Sequence, residues 1–282
     1  MKKYNIADLQ KLKQEKKPFV TLTAYDYPTA KIINKLNIPL ILVGDSASMV
    51  VYGYKDTTPI CMDEMLLITR AVKRGISTSL IVGDMPFMSY QPSVEEAVKN
   101  AGRFIKEGKV DAVKLEGGRE YINQVNAIIT AGIPVIGHIG LKPQSVLIES
   151  GYKIQGKTSQ TALNIYKDAI ALQNAGVFAL VLEGVPSELA EIITQTLKIP
   201  TIGIGAGKKC DGQIQVLHDL IGFFGHEVPK HATTYLNLKR ELKKSINAYI
   251  SDVENNIFPG KKNFTTMNKS ELKDLKIKIE NL

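Results

Sequence analysis

The sequence predicts an α/β fold, a (β/α)8 barrel of eight parallel strands alternating with helices, and three observations carry that prediction. First, short runs rich in Val, Ile and Leu recur along the 282 residues, at roughly 19–25, 40–45, 79–84, 112–116, 134–139, 179–183, 200–204 and 213–217. Parallel strands covered on both faces read as continuous apolar runs of this kind. Second, amphipathic stretches with helix punctuation lie between the runs, the alternation expected of βαβ units. Third, six of the runs end on one polar residue or glycine: LILVGDS with Asp45, SLIVGDM with Asp84, AVKLEGG with Glu116, PVIGHIG with His138, ALVLEGV with Glu183 and TIGIGAG with Gly205. A carboxylate at the end of a buried strand is costly without a partner. In a barrel of parallel strands that carboxyl-terminal rim is where active sites sit.

The elements follow in order. A helix over about 5–15 precedes the first strand, where it either plugs the amino-terminal mouth or packs on the side. Ser93 and Glu96 make a capping box that opens a helix, and Gly108 closes it. Gly132 ends the stretch that begins near Arg119, and Gly176 the one that begins near Ser159. Pro186 starts the next helix at a position where its missing N–H costs nothing. The eighth strand, in GQIQVLHDLIGFF, is the least regular and also reads as partly helical. Residues 230–251 read as a long final helix. One catalytic barrel domain is therefore expected over 1–251, with an N-terminal helix and a C-terminal helical extension. Residues 252–282, with few large apolar side chains, read as a loosely held lysine-rich tail with a short helix near 269–279.

Composition narrows the class. Hydrophobic residues make up 44% and charged residues 23%, enough for a sizeable core. No apolar run approaches the ~20 residues of a membrane helix, and MKKYNIADLQKLKQEKK lacks the apolar stretch of a signal peptide. Cys61 and Cys210 stand far apart without metal-ligand spacing, so no disulfide framework or zinc site is implied, and a cytoplasmic protein is expected. The net charge of +8 sits at the ends: residues 1–17 and 239–282 each carry +4, and residues 18–238 balance. That distribution reads as solvated lysine-rich surface, with no basic stripe for nucleic acid.

The strand tips carry the chemistry. Asp45, Asp84 and Glu116 end strands two, three and four, neighbours in a barrel. Three adjacent carboxylates repel unless something positive lies among them, and a hard divalent cation such as Mg²⁺ with oxygen ligands answers that need. The blander alternative is that one or two of them merely pair with a lysine or cap the next helix. Lys114, two residues before Glu116, shares its face of strand four; it either binds a substrate carboxylate or fills a salt bridge. Ser46 offers a hydroxyl or N–H to the same anion. His138 lies between glycines that allow a ligand close approach, and it reads equally as a buried core residue. His218, His226 and His231 have no comparable setting. Glu183, flanked by apolar residues and glycine, should have a raised pKa, suited to a general base near neutral pH; the alternative is a salt bridge to the seventh strand or a loop. The glycine-rich GIGAGKKCDG (203–212) reads as a phosphate cradle or as tight backbone packing, with Asp211 bracing the loop.

Taken together, LTAYD (22–26), VGDS (43–46), GDMPF (83–87), KLEGG (114–118), GHIGLKPQS (137–145), GYKIQGK (151–157), LEGVP (182–186) and IGIGAG…CDGQ…HD (202–219) resemble the ketopantoate (3-methyl-2-oxobutanoate) hydroxymethyltransferase family, collinearly from about residue 5 to 230. The resemblance implies a TIM barrel of the phosphoenolpyruvate/pyruvate type. It implies Mg²⁺ ligation at Asp45, Asp84 and Glu116, with 2-oxoacid contacts from Asp45, Ser46, Asp84, Lys114 and His138, and Glu183 as the catalytic base. It further implies 5,10-methylenetetrahydrofolate as co-substrate, a Mg-stabilised enolate, 2-dehydropantoate as product in pantothenate and coenzyme A synthesis, and a homodecamer. Ala47-Ser48 departs from the Leu-Gly that many members carry after GDS, and the tail past about 260 is longer than usual. Two rivals stay open: another Mg-enolate barrel, a lyase or mutase acting on a 2-oxoacid without folate, and a non-catalytic binding protein.

Overall fold

The period of two along each strand sorts side chains between two cores, and that sorting builds the site. The computed structural model describes residues 3–149, 151–223 and 229–282. Its strands are β1 (Phe19–Thr23), β2 (Leu40–Val43), β3 (Leu80–Asp84), β4 (Ala112–Glu116), β5 (Val135–Gly140), β6 (Ala179–Glu183), β7 (Thr201–Ile204) and β8 (Gly212–Gln215). They close in chain order into a barrel of parallel neighbours, β8 pairing back onto β1. Ile41, Val43, Ile81, Val113, Leu115, Leu180 and Leu182 face outward into a core shared with the helices. Leu40, Leu42, Leu80, Val82, Ala112, Ile136, Ala179, Val181 and Ile202 fill the barrel interior.

Leu9, on the helix Ile6–Gln14, is fully buried in that interior cluster. Gln10 donates to the Lys198 carbonyl at 2.6 Å, and Lys13 pairs with Asp211 at 2.8 Å. Of the two placements open to this helix, it takes the mouth, closing the amino-terminal end.

The crossovers are helical except the last. The helices Tyr27–Ile33, Met62–Gly75, Val94–Arg103, Ile122–Thr130, Ser159–Ala175 and Ser187–Thr196 lead from one strand to the next. Residues 205–211 return the chain from β7 to β8 without a helix. Gly205 and Gly207, at φ 61° and 78°, supply the left-handed turns so short a return requires. Asp211 braces it, its carboxylate accepting from the Thr201 N–H at 2.8 Å. β8 stops at Gln215, because Leu217 turns its N–H to Thr23 Oγ1 at 2.8 Å and opens the short helix Leu217–Leu220.

The final helix starts later than the sequence suggests, at Leu238–Glu254 and not at 230. Residues before it are tied to the barrel: Thr233 N–H donates to Gln215 Oε1, Thr234 Oγ1 to the Asp219 carbonyl, and Tyr235 N–H to the Leu220 carbonyl. Asn237 then caps the helix by accepting from the Arg240 N–H at 3.0 Å. Accordingly the chain divides into units Met1–Tyr235 and Leu236–Leu282, a boundary earlier than the 251/252 division read from composition. Within the second unit, Leu238–Glu254 and Lys269–Glu280 bury no residue, and the Tyr249 and Phe258 rings meet at 5.3 Å. Among the described residues no helix is long and apolar enough to cross a membrane.

Candidate active site

Followed toward their carboxyl ends, the inward columns change from apolar to ionisable. On β3 the column reads Leu80, Val82, Asp84; on β4, Ala112, Lys114, Glu116; on β5, Ile136, His138; on β6, Ala179, Val181, Glu183. The register sets them side by side, with Asp84 beside Lys114, Glu116 beside His138 and Gly140 beside Glu183. Asp45 lies two residues past the end of β2, in the turn leading to the helix Ala47–Val50. Asp45, Asp84, Lys114, Glu116, His138 and Glu183, with Ser46, line one cavity of about 650 Å³. Gly140 is required there: at φ +97° an added Cβ would fall 2.2 Å from the Glu183 carbonyl oxygen.

The electrostatics are set by one ammonium among buried carboxylates. Lys114 Nζ lies 2.7 Å from Asp84 and 3.7 Å from Glu116. Burial alone would lower its pKa, but Asp84, Glu116 and Asp45 outweigh burial and raise it, so it stays charged. Burial, joined by repulsion from Asp84 and Glu116, pushes the Asp45 carboxyl well above the usual range. Burial also raises Glu116 to about 8, against the attraction of Lys114. The site is therefore short of positive charge, and Glu116 Oε1 is buried with no hydrogen-bond partner.

This donor set fits a hard divalent cation: oxygen ligands, surplus negative charge and an unused buried acceptor. As the side chains stand, no three His, Cys, Asp or Glu among the described residues already converge as a ligand cluster. Lys114 and Gln144 hold the carboxylates in the arrangement seen.

His138 is buried, its Nδ1 3.6 Å from Glu116 and its Nε2 3.3 Å from Glu183. Neither contact has hydrogen-bond geometry, and both ring nitrogens are left without a partner. Burial, with Lys114 nearby, lowers its pKa well below the usual value and keeps the ring neutral. A neutral imidazole here has an N–H to give to a ligand. Burial lifts Glu183 to about 7, opposed by Lys114 and His231. Seventeen per cent (17%) of its side chain remains exposed to the cavity. Gly205, at the tip of β7, serves shape: an added Cβ would sit 3.2 Å from the His231 side chain.

Sequence reasoning assigned no role to three residues that organise this site. Gln144 donates to Asp45 at 2.8 Å and to the Met85 carbonyl at 2.9 Å, while its backbone N–H reaches Glu116 at 3.0 Å. Tyr90 Oη lies 2.9 Å from the Glu116 carbonyl and 3.0 Å from Gln144 Oε1. Tyr25 Oη meets Ser46 Oγ at 2.8 Å. Gln144 and Tyr25 stand inside the motifs GHIGLKPQS and LTAYD, which was the available signal. His231 also reaches the cavity, where no setting was foreseen for it, and His218 packs against Tyr25 at 5.3 Å. His226 lies outside the described residues.

Comparison with known proteins completes the picture. The family model described as ketopantoate hydroxymethyltransferase matches residues 3–261. A Dehalococcoides mccartyi (strain CBDB1) protein named 3-methyl-2-oxobutanoate hydroxymethyltransferase is 52% identical over 271 residues, covering 96% of this chain and 97% of its own. One so named from Acetivibrio thermocellus is 50% identical over 261 residues, 93% of this chain and 92% of its own. Among solved structures, 2,3-dimethylmalate lyase, a PEP mutase/isocitrate lyase superfamily member, covers 97% of this chain and 93% of its own at a TM-score of 0.57. At 12% identity that likeness is one of fold.

Proposed function

The chain belongs to the ketopantoate hydroxymethyltransferase family, and on that premise we propose that it transfers a hydroxymethyl group from 5,10-methylenetetrahydrofolate to 3-methyl-2-oxobutanoate, giving 2-dehydropantoate for pantothenate and coenzyme A synthesis. The observation that carries this reading is one cavity holding a charged lysine, a neutral histidine and a carboxyl raised to about 7 beside a carboxylate cluster. Such a site can bind a 2-oxoacid and take a proton from the carbon next to its carbonyl.

Asp45, Asp84 and Glu116 would hold Mg²⁺, which when bound supplies Lewis acidity toward the oxygens of the oxoacid. Lys114 gives the substrate carboxylate a positive partner, and Ser46, fixed by Tyr25, offers a hydroxyl to the same group. The N–H of neutral His138 donates to the oxoacid. Glu183 takes the C3 proton, because its pKa near 7 leaves it basic at neutral pH without making it too weak an acceptor. The enolate charge that develops is met by groups already oriented, which spares reorganisation during the step. The C3 carbanion then attacks the methylene carbon of the folate as one of its C–N bonds breaks, and water replaces the second C–N bond, so that its oxygen becomes the new hydroxyl and tetrahydrofolate leaves. A homodecamer in the cytoplasm belongs to the same family reading.

The test separates the half-reactions. With Mg²⁺ and 3-methyl-2-oxobutanoate in D₂O and no folate, the wild type is expected to exchange the C3 proton, followed by NMR. Formation of 2-dehydropantoate should then require methylenetetrahydrofolate. Exchange without folate-dependent product would favour the rival reading, a lyase or mutase. Absence of exchange would refute the role given to Glu183.

A further inference from the structure

The cavity is larger than a small branched oxoacid requires. Its volume of about 650 Å³ falls in the range, roughly 300–1,000 Å³, that takes a drug-sized ligand. The groups already given work line the side formed by β2 to β6. The opposite wall is made by Ile204, Ile214 and Val216, with Asp219 as its carboxylate and His231 beside the tip of β7.

Asp219 is 6% exposed, and its backbone is fully engaged. Its N–H donates to the Val216 carbonyl at 3.1 Å, and its carbonyl accepts from Thr234 Oγ1 at 3.0 Å. Its carboxylate, by contrast, takes no hydrogen bond or ion pair among the described residues. Burial accordingly holds the carboxyl above its ordinary range. Its oxygens are not among the fully enclosed atoms that lack a partner, so the carboxylate faces the cavity and is open to a ligand that donates. Asp219 is close enough to Tyr25 to act on its hydroxyl electrostatically, and Tyr25 holds Ser46. It therefore borders the oxoacid site without belonging to it. Lys230, which also lines the cavity, is exposed and makes no ion pair among the described residues.

We infer that Asp219 is a binding residue for the hydroxymethyl donor, its carboxylate accepting paired N–H bonds from the amino-amide edge of the reduced pterin ring. This rests on the folate reading given above. A carboxylate meets two parallel N–H donors bidentately, which fixes orientation as well as affinity. The ring would lie on the apolar wall, with its reactive carbon toward the oxoacid and its anionic glutamate tail toward Lys230. A carboxylate without a protein donor on this wall and an exposed lysine among the lining residues match a ligand with a donor head and an anionic tail.

The test uses the full-length enzyme with Mg²⁺. Asp219→Asn keeps the shape and replaces one acceptor oxygen by a donor. The KM for methylenetetrahydrofolate should rise at least tenfold, while C3-proton exchange, which needs no folate, changes less than twofold. A folate KM within twofold of wild type overturns the proposal, as does an equal fall in exchange and folate turnover, the mark of a structural role. A second measurement leaves the chain intact: the wild type should discriminate at least tenfold against a methylenetetrahydrofolate analogue with methyl in place of the 2-amino group. Equal use of both cofactors overturns the proposal even where the variant fails to fold. If the wild type exchanges the C3 proton but makes no product from methylenetetrahydrofolate, the donor assignment itself falls, and this inference with it.

Discussion

Glu183→Gln is expected to stop proton exchange and at the same time to stabilise the fold at alkaline pH. The carboxyl titrates at about 7 in the folded protein, against an ordinary 4.5, because burial disfavours its charged form. Between those values the folded protein holds a proton that the unfolded chain has released, so stability falls as pH rises through that window. The contribution is fully present below 4.5 and lost above about 7. At about 1.36 kcal/mol per pH unit, the difference is roughly 3 kcal/mol. With 17% of the side chain exposed, about 3 kcal/mol is the upper end of the effect. Glutamine has the same shape and does not ionise, so the variant escapes the cost.

For a barrel of this size, ~3 kcal/mol corresponds to a rise in Tm of roughly 6–12 °C. Paired thermal melts of wild type and variant in EDTA, from pH 5 to pH 8.5, read it directly. The gain should be largest at pH 8 and vanish toward pH 5. Exchange of the C3 proton, measured with Mg²⁺, should fall about 10²–10⁴-fold, the usual worth of a general base. In the wild type the exchange rate should climb with pH around a midpoint near 7. A variant that keeps exchange within tenfold of wild type, or whose stability gain does not depend on pH, would refute the assignment of Glu183 as a buried base.

Four further outcomes follow from the same geometry. Lys114→Met should lose oxoacid binding and destabilise the protein in EDTA by about 3–5 kcal/mol at pH 8, read by urea unfolding, because Asp84 and Glu116 lose their buried cation. Mg²⁺ at ~100 times its Kd should raise wild-type stability by about 2.7 kcal/mol, with the gain reduced in Asp45→Asn and Asp84→Asn; equal gains in all three would remove those residues as ligands. Gln144→Leu strips the side-chain hydrogen bond from Asp45, and at about 1.5–3 kcal/mol for a bond to a charged group kcat/KM should drop roughly tenfold to a hundredfold. Gly140→Ala should lower Tm and slow exchange together, since the new methyl meets the Glu183 carbonyl oxygen at 2.2 Å; an unperturbed Tm would contradict that crowding.

Much of this architecture was legible because its signals are local. Each strand is an apolar run, and the residue at its tip is fixed by counting in twos. Asp84, Glu116, His138 and Glu183 thus share a rim before any coordinates are known. The glycines of 203–212 were ambiguous for the opposite reason. A phosphate cradle and tight backbone packing use the same residues, and what the structure adds is a short helix-free return on which Gly205 and Gly207 take positive φ. The start of the last helix was misjudged because side chains and carbonyls of the barrel, at Gln215, Asp219 and Leu220, hold residues 233–235 out of a helix against their helical pattern. Gln144 and Asp219 escaped notice because neither is marked locally: Gln144 is 99 residues from its partner Asp45, and the Asp219 carboxylate has no side-chain partner among the described residues.

Those two residues also show how the fold divides labour between the sides of one cavity. On the β2 to β5 side every carboxylate is met by something: Lys114 on Asp84 and Glu116, and Gln144 on Asp45 and Glu116. Even so, Asp45 and Glu116 remain held above their ordinary pKa range, so the protein's own donors fall short and a divalent cation has room to act. Removing any one donor should therefore be felt by the whole arc. At Asp219 no donor reaches the carboxylate among the described residues, and its one noted influence on the oxoacid side is electrostatic, on Tyr25. A change there should alter recognition of one substrate and leave the other half-reaction standing. That asymmetry makes the two substrates separable by mutation, with Gln144→Leu expected to slow exchange and transfer alike and Asp219→Asn only the transfer.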